Sequence, residues 1–397
     1  MISLDAVADA DVDFLLSLPN FYAFSKQGTL VRDVDSVFIS NTYPVHTSII
    51  TGMYPYKHGI IENVFTQPGK KRPDWRRFYK DIKAKTLYDM ASKEGLSVCS
   101  IFYPVTCGAK IKWNIPEIPD EMSISRRIVD TLKNGSPGFI INSIFSQKKY
   151  LKSIDAAYLD DFLTHIAISA MIKHKPNLLL LHLLDSDSQK HYYGPNSDQA
   201  KEALVRLDLR LGQLMDTANK IWDKDEVAFI IFSDHGCLQV DRAVDPNDDL
   251  GEFGFINNQA QTKEDYEAFF HNAEGTTFLK IYRHEKTDEI MKAVDYILKK
   301  PYAKRLLTKE EMRISGLDQE FVCGIEANDG YCFGKAYKGQ HGYSLKRDGY
   351  HPFYLAVGDG VEKDRVLNGG CVIDICPLAA NLLGIPRWEM DGINRII

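Results

Sequence analysis

Four short segments hold acids and histidines in positions that could do chemistry: "SLDAV" with Asp5, "DSDSQKHYYGP" with Asp187 and His191, "SDHG" with Asp234 and His235, and "GQHGY" with His341. Singly, each has an ordinary reading, because an aspartate beyond a strand commonly caps a helix or shapes a turn. Together they assemble mixed imidazole and carboxylate donors, which suit a borderline divalent cation such as zinc. Asp187 and His191 are four apart, so a helical turn would face both toward one ion. Asp234 and His235 are adjacent and need irregular backbone, which Gly236 permits. Two ions are therefore expected.

A hydroxyl belongs beside them. In "NTYPVHTSIITGMYPYKHGI" (41–60) Thr42 precedes a Tyr-Pro step, and a helix-like apolar run ends at Thr51-Gly52. The spacing predicts a helix over 44–51, with Pro44 in the first turn, where no backbone donor is lost. Its N-terminal amides would place positive partial charge near an anion. Alone, Thr42 reads as a helix cap. Beside a divalent cation its hydroxyl is favoured as the alkoxide, a competent nucleophile.

The elements needed to position these groups are those of an α/β protein with a largely parallel central sheet flanked by helices. "LSVCSIFYP", "NLLLLHLLD" and "VAFIIFSD" read as strands buried on both faces. Residues 155–175 and 197–222 carry apolar residues at helical spacing between them. Reactive groups in such sheets gather at the carboxyl edge of the strands, and Asp5, Asp187 and Asp234 all sit at or just beyond such ends. The stretch 237–338 is more polar and richer in turns. It is expected to be a small α+β cap insertion over the site, dividing a metal-binding core formed by 1–236 and 339–397.

Composition narrows the partners. The 397 residues are 44% hydrophobic, enough for a large core. With 48 basic and 54 acidic residues and no long one-sign block, nothing in the sequence points to nucleic acid or a membrane as an obligate partner. Seven scattered cysteines without CxxC spacing favour a reducing, cytoplasmic compartment. "MISLDAV" enters a core strand almost at residue 1, which leaves an upstream leader open.

These segments, in this order and across nearly the whole chain, resemble those of the alkaline phosphatase superfamily and, more narrowly, the type I phosphodiesterase and nucleotide pyrophosphatase family. The resemblance implies an alkaline phosphatase-like fold and two divalent ions, zinc by preference with manganese as the alternative. Asp187, His191 and His341 would hold one ion, and Asp5, Thr42, Asp234 and His235 the other. It implies that Thr42 attacks phosphorus and is transiently phosphorylated while a phosphodiester or pyrophosphate is hydrolysed. Asn63, which follows "HGI", would donate to a non-bridging phosphoryl oxygen. Where many relatives carry Pro-Asn-His this chain has Pro44-Val45-His46, a departure that bears on substrate rather than on the metal set. His46 and His58 are expected to be structural, and Tyr43 to form one wall of the leaving-group pocket.

The expected substrate is a small phosphodiester, a nucleotide or a phosphonate. A phosphonate hydrolase of the phosphonoacetate hydrolase kind is the nearest alternative, because it too uses threonine with two zincs. A metal-dependent binding protein without turnover is a third reading, against which the intact Thr42 argues. No Cys-x-Pro-x-Arg stretch supports a sulfatase, and the missing serine nucleophile disfavours a phosphoglycerate mutase.

Overall fold

The apolar runs become the centre of an eight-stranded sheet in the computed structural model, which describes residues 1–119, 124–223, 226–257 and 262–397. The strands in chain order are β1 (Ile2–Leu4), β2 (Thr29–Arg32), β3 (Val98–Ile101), β4 (Trp113–Ile115), β5 (Leu178–Leu183), β6 (Phe229–Phe232), β7 (Leu238–Val244), β8 (Ala268–Ala273), β9 (Thr276–Ile281), β10 (Ala303–Leu306), β11 (Cys323–Ala327), β12 (Gly330–Phe333), β13 (Gly339–Gln340), β14 (Tyr354–Val357) and β15 (Arg365–Asn368). The main sheet has the order β15-β2-β14-β6-β1-β5-β3-β4. Within it β14 runs antiparallel to both β2 and β6, and the other pairings are parallel. The expected, largely parallel α/β architecture is therefore present.

Strand alternation divides the core between the two faces of this sheet. Leu178, Leu180, Ile230 and Phe232 join Val45 and Ile49 on one face. Leu181, Leu183 and Ile231 join Leu163, Leu207 and Leu211 from the long helices Ala156–His174 and Asp198–Ile221 on the other. Each face is thus covered by helix, which is why these strands are continuous apolar runs.

Two smaller sheets follow the third central strand in sequence. A four-stranded antiparallel sheet, β10-β11-β9-β8, lies wholly between Ala268 and Ala327 and packs on the helix Thr287–Ile297. A three-stranded sheet, β12-β7-β13, joins that region to the segment just ahead of His341. Of the expected cap range, 258–261 lie outside the described residues. Among the described residues no helix is long and apolar enough to cross a membrane.

Neighbouring strands set the stage for the site. β6, β1 and β5 lie side by side, with Ile2 paired to both Leu181 and Ile231. Their carboxyl ends lead into Asp234, Asp5 and the helix Asp185–Tyr193 respectively. That helix starts with Leu184 and Asp185 amides donating to Asp160 at 2.9 and 3.0 Å. Arg210, only 2% exposed at its side chain, bonds Asp185 at 3.0 Å and Asp161 at 2.9 Å, tying three helices together.

Arg210→Leu removes the cation and leaves Asp160 and Asp185 buried. A loss of about 3–5 kcal/mol of unfolding free energy is expected, read by urea denaturation. A loss below about 1 kcal/mol would show that Arg210 is dispensable as an anchor.

Candidate active site

At the carboxyl edge of β6, β1 and β5, two groups of donor atoms converge. Asp5, Asp234 and His235 form one, and Asp187, His191 and His341 the other, with the ligand atoms of each group within 4.8 Å of one another. The His235 and His341 rings stack at 4.1 Å between centroids, so the groups adjoin.

The backbone prepares these donors. Ala6, held at φ 56°, turns its amide onto Asp234 Oδ1 at 3.1 Å, and the His235 amide donates to the same oxygen at 3.0 Å. Asp234 Oδ2 is left buried without a hydrogen-bond partner, 3.2 Å from His235 Nε2. Gly236 is needed here for a reason other than the expected turn: a Cβ would lie 2.5 Å from the Tyr350 carbonyl oxygen, so a close backbone approach demands glycine.

The imidazoles share one arrangement. Nδ1 of His191 donates to the Gly339 carbonyl at 2.8 Å, Nδ1 of His235 to the Gly236 carbonyl at 3.1 Å, and Nδ1 of His341 to Asn41 Oδ1 at 2.8 Å. With Nδ1 committed, Nε2 is the nitrogen left for a ligand bond, the usual outer arrangement of metal-binding histidine. His46 and His58 differ, since both nitrogens of each are used: His46 bonds Ser3 and the Thr42 carbonyl, and His58 bonds Ser48 and the Ile60 amide. They are packing residues.

Thr42 is the first residue of the helix Thr42–Thr51, which begins two residues ahead of the expected start. Asn41 occupies the cap position without a capping bond, because its side chain serves His341 and Glu62 instead. Thr42 is half-buried, and its Oγ1 lies 3.4 Å from His235 Nε2. The helix closes at Gly52, whose left-handed φ of 67° allows its amide to bond the Ser48 carbonyl. At the front end the Tyr43 amide goes to Asn63 Oδ1 at 2.9 Å, Pro44 has no N–H, and the Val45 amide goes to the Asn41 carbonyl. Positive potential at this terminus thus comes from the helix dipole and the Asn63 amide more than from free backbone donors. The Tyr43 ring is fully buried against Trp75, Ile60 and Val105, so in this conformation it backs the half-buried Trp75 and presents no surface of its own.

Electrostatics show what the pocket lacks. Burial, followed by the charges of Asp234 and Asp187, pushes the Asp5 carboxyl well above its usual range. Burial also depresses His235 to about 4. Burial alone would lower His191, but the Asp187 carboxylate outweighs it and lifts the imidazole to about 9. Asp187 is held below the normal carboxylate range in return, against its own burial. Oxygens Asp5 Oδ1, Asp187 Oδ1 and Asp234 Oδ2 are all buried without hydrogen bonds. Acidic orphans facing Nε2 lone pairs fit divalent cations in both groups.

Several participants carry no motif. His182, on the central strand β5, is fully buried with both nitrogens unbonded and Nε2 3.3 Å from Asp5 Oδ2. Its one signal was a polar residue inside "NLLLLHLLD". Glu62 accepts from Asn41 at 2.7 Å and lies 3.0 Å from His271 Nε2. Glu274, from the turn between β8 and β9, places Oε2 2.8 Å from His341 Nδ1. Nothing local in the sequence marks Glu274 or His271.

The sequence profile described as type I phosphodiesterase / nucleotide pyrophosphatase matches residues 1–343. The chain belongs to this family. It is thereby a hydrolase of the phosphodiesterase and pyrophosphatase type within the alkaline phosphatase superfamily. Family member 7 of the mouse ectonucleotide pyrophosphatase/phosphodiesterases is 22% identical over 98% of this chain and 83% of its own length. The human bis(5'-adenosyl)-triphosphatase ENPP4 is 23% identical over 94% and 75%. Among solved structures, murine ectonucleotide pyrophosphatase/phosphodiesterase 5, in an inactive threonine-to-alanine form with AMP, superposes with a TM-score of 0.68 at 20% identity, covering 98% of this chain and 96% of that one.

Asn41→Ala removes the acceptor that orients His341 and frees Glu62. Metal held by the Asp187 group should then be stripped by chelator about 10–100-fold more readily, as followed by metal analysis. An unchanged stripping curve would rule out Asn41 as the orienting partner.

Proposed function

We propose that this member of the family hydrolyses a nucleotide-type phosphodiester or pyrophosphate by two in-line displacements, with Thr42 as the nucleophile. The observation that carries this reading is the half-buried Thr42 hydroxyl, 3.4 Å from His235 Nε2 at a helix N-terminus beside two acid and imidazole groups. Asp187, His191 and His341 would hold one divalent ion and Asp5, Asp234, His235 and Thr42 the other, with zinc favoured by the imidazole share and manganese the alternative. Bound ions would supply Lewis-acid charge that lowers the hydroxyl pKa and offsets phosphoryl charge.

In the first displacement Thr42 Oγ1 forms a bond to phosphorus as the P–O bond to the leaving group breaks, and the hydroxyl proton passes to solvent. In the second, water attacks the phosphothreonine from the same side as the departed group and restores Thr42. Asn63, fixed through Oδ1 on the Tyr43 amide, has Nδ2 available to donate to a non-bridging oxygen. The segment 237–338 is proposed as the cap that selects the leaving group, a role supported by the approach of its Glu274 to His341. A nucleotide substrate draws support from AMP in the murine relative's structure and from the adenosyl substrate in the human relative's name. Seven free thiols support a reducing compartment for this chain, whereas the relatives are named as ectoenzymes.

Purified protein should contain close to two equivalents of transition metal, and chelation should abolish turnover; one equivalent in fully active protein would sink the paired-site reading.

Thr42→Ala should keep the fold and most of the metal yet lose several orders of magnitude in rate, whereas Thr42→Ser should keep a substantial share. Asn63→Ala should lose roughly 100–1,000-fold. A chiral phosphorothioate diester should react with net retention at phosphorus. Net inversion would remove Thr42 from the nucleophile role.

A further inference from the structure

One surface of the protein stays apolar although nothing among the described residues covers it. Two helices, Ile124–Asn134 and Pro137–Gln147, form a hairpin between β4 and β5, followed by a short turn Lys148–Tyr150. Ile128, Val129, Ile141, Ile144, Phe145 and Ile154 all stand open here, with Phe145 70% and Val129 60% exposed. Ile141, Ile144 and Phe145 are spaced i, i+3, i+4, so they form one outward stripe, while Ile140 and Ser143 turn inward. A solvated helix face would not gather its largest apolar residues on its outer side.

Charge identifies what covers the stripe. In a chain of net charge −6, residues 124–158 carry six basic side chains and two acids. Arg126, Lys133, Lys148, Lys149 and Lys152 are exposed around the apolar stripe, while one of the acids, Asp130, is already neutralised by Arg77 at 2.9 Å. A second copy docked face to face would oppose two positive surfaces. An anionic bilayer offers both acyl chains for the stripe and headgroup charge for the lysines. We infer that the helical hairpin 124–147, with the lysine turn after it, is a docking surface for an anionic lipid membrane.

Its placement gives docking a direction. The Arg77 bond to Asp130 fastens the hairpin to the loop that carries Trp75 and follows Asn63. The membrane would therefore lie along the rim of the proposed active site. Docking itself needs neither metal nor turnover, so it stands or fails apart from the proposed chemistry.

The test is sedimentation of the full chain with vesicles of phosphatidylcholine alone and of phosphatidylcholine with phosphatidylserine. Wild type should partition at least about tenfold more strongly to the serine-lipid vesicles and be released by high salt. Ile144→Asp with Phe145→Asp, and separately Lys148→Glu with Lys149→Glu and Lys152→Glu, should each abolish binding. Both sets should keep wild-type circular dichroism and wild-type hydrolysis of a soluble chromogenic phosphodiester. Wild type that ignores both vesicle types would overturn the inference, as would patch variants that bind like wild type. A wild-type dimer in sedimentation velocity that the Ile144/Phe145 variant converts to monomer, with no lipid effect, would assign the surface to a second copy instead.

Discussion

Three carboxylates that follow three adjacent strands, Asp5 and Asp234 in the loops after β1 and β6 and Asp187 on the helix after β5, are forced together at one edge of a sheet whose interior is apolar. Like charges about 4 Å apart repel by about 4 kcal/mol even at an effective dielectric of 20, so the arrangement of Asp5, Asp234 and Asp187 is tolerable only with compensating positive charge. Much of the surrounding structure answers that demand. His191 Nε2 lies 3.2 Å from Asp187 Oδ1, the helix Thr42–Thr51 aims its positive end at the cluster, and two backbone amides take one oxygen of Asp234. What they leave over is a set of buried oxygens and Nε2 atoms suited to metal.

The same demand reaches outward through an uninterrupted polar chain. His341 is oriented by Asn41, Asn41 by Glu62, and Glu62 faces His271 on β8. Because His271 and Glu274 belong to the four-stranded-sheet region, that region is bonded to the site as well as placed near it. A motion of these strands would therefore disturb His341 first. The helix carrying Asp187 and His191 is held from below by Asp160 and Arg210, which makes its position a property of the long helices rather than of a loop. Rigid support of this kind is what a site needs when a small displacement of a nucleophile costs orders of magnitude in rate.

The acidic pocket and the basic hairpin also divide the molecule electrostatically. An anionic phosphoryl group and an anionic bilayer would each be drawn to positive charge, supplied in one case by bound cations and in the other by fixed lysines. Because the whole chain carries −6 while the hairpin segment is basic, the negative charge elsewhere would favour one orientation of the protein over others at such a surface.

What the sequence alone determined was local. Apolar runs identified β3, β5 and β6 because a strand covered on both faces is apolar at most positions, His182 being an exception, and the i, i+4 spacing of Asp187 and His191 described their shared helix face. Thr42 was legible from its place ahead of a helical run, though not the two extra residues of that helix, because Pro44 marked an apparent start. The tertiary structure decided everything that depends on strand order. His341 meets Asn41 across 300 residues, Glu274 arrives on a hairpin turn with no motif, and His182 acquires meaning only from Asp5 on the neighbouring strand. The exposed stripe of 141–145 is likewise a property of the packed fold. Periodicity reports that a face is apolar, but only the packed fold reveals whether another part of the chain covers it.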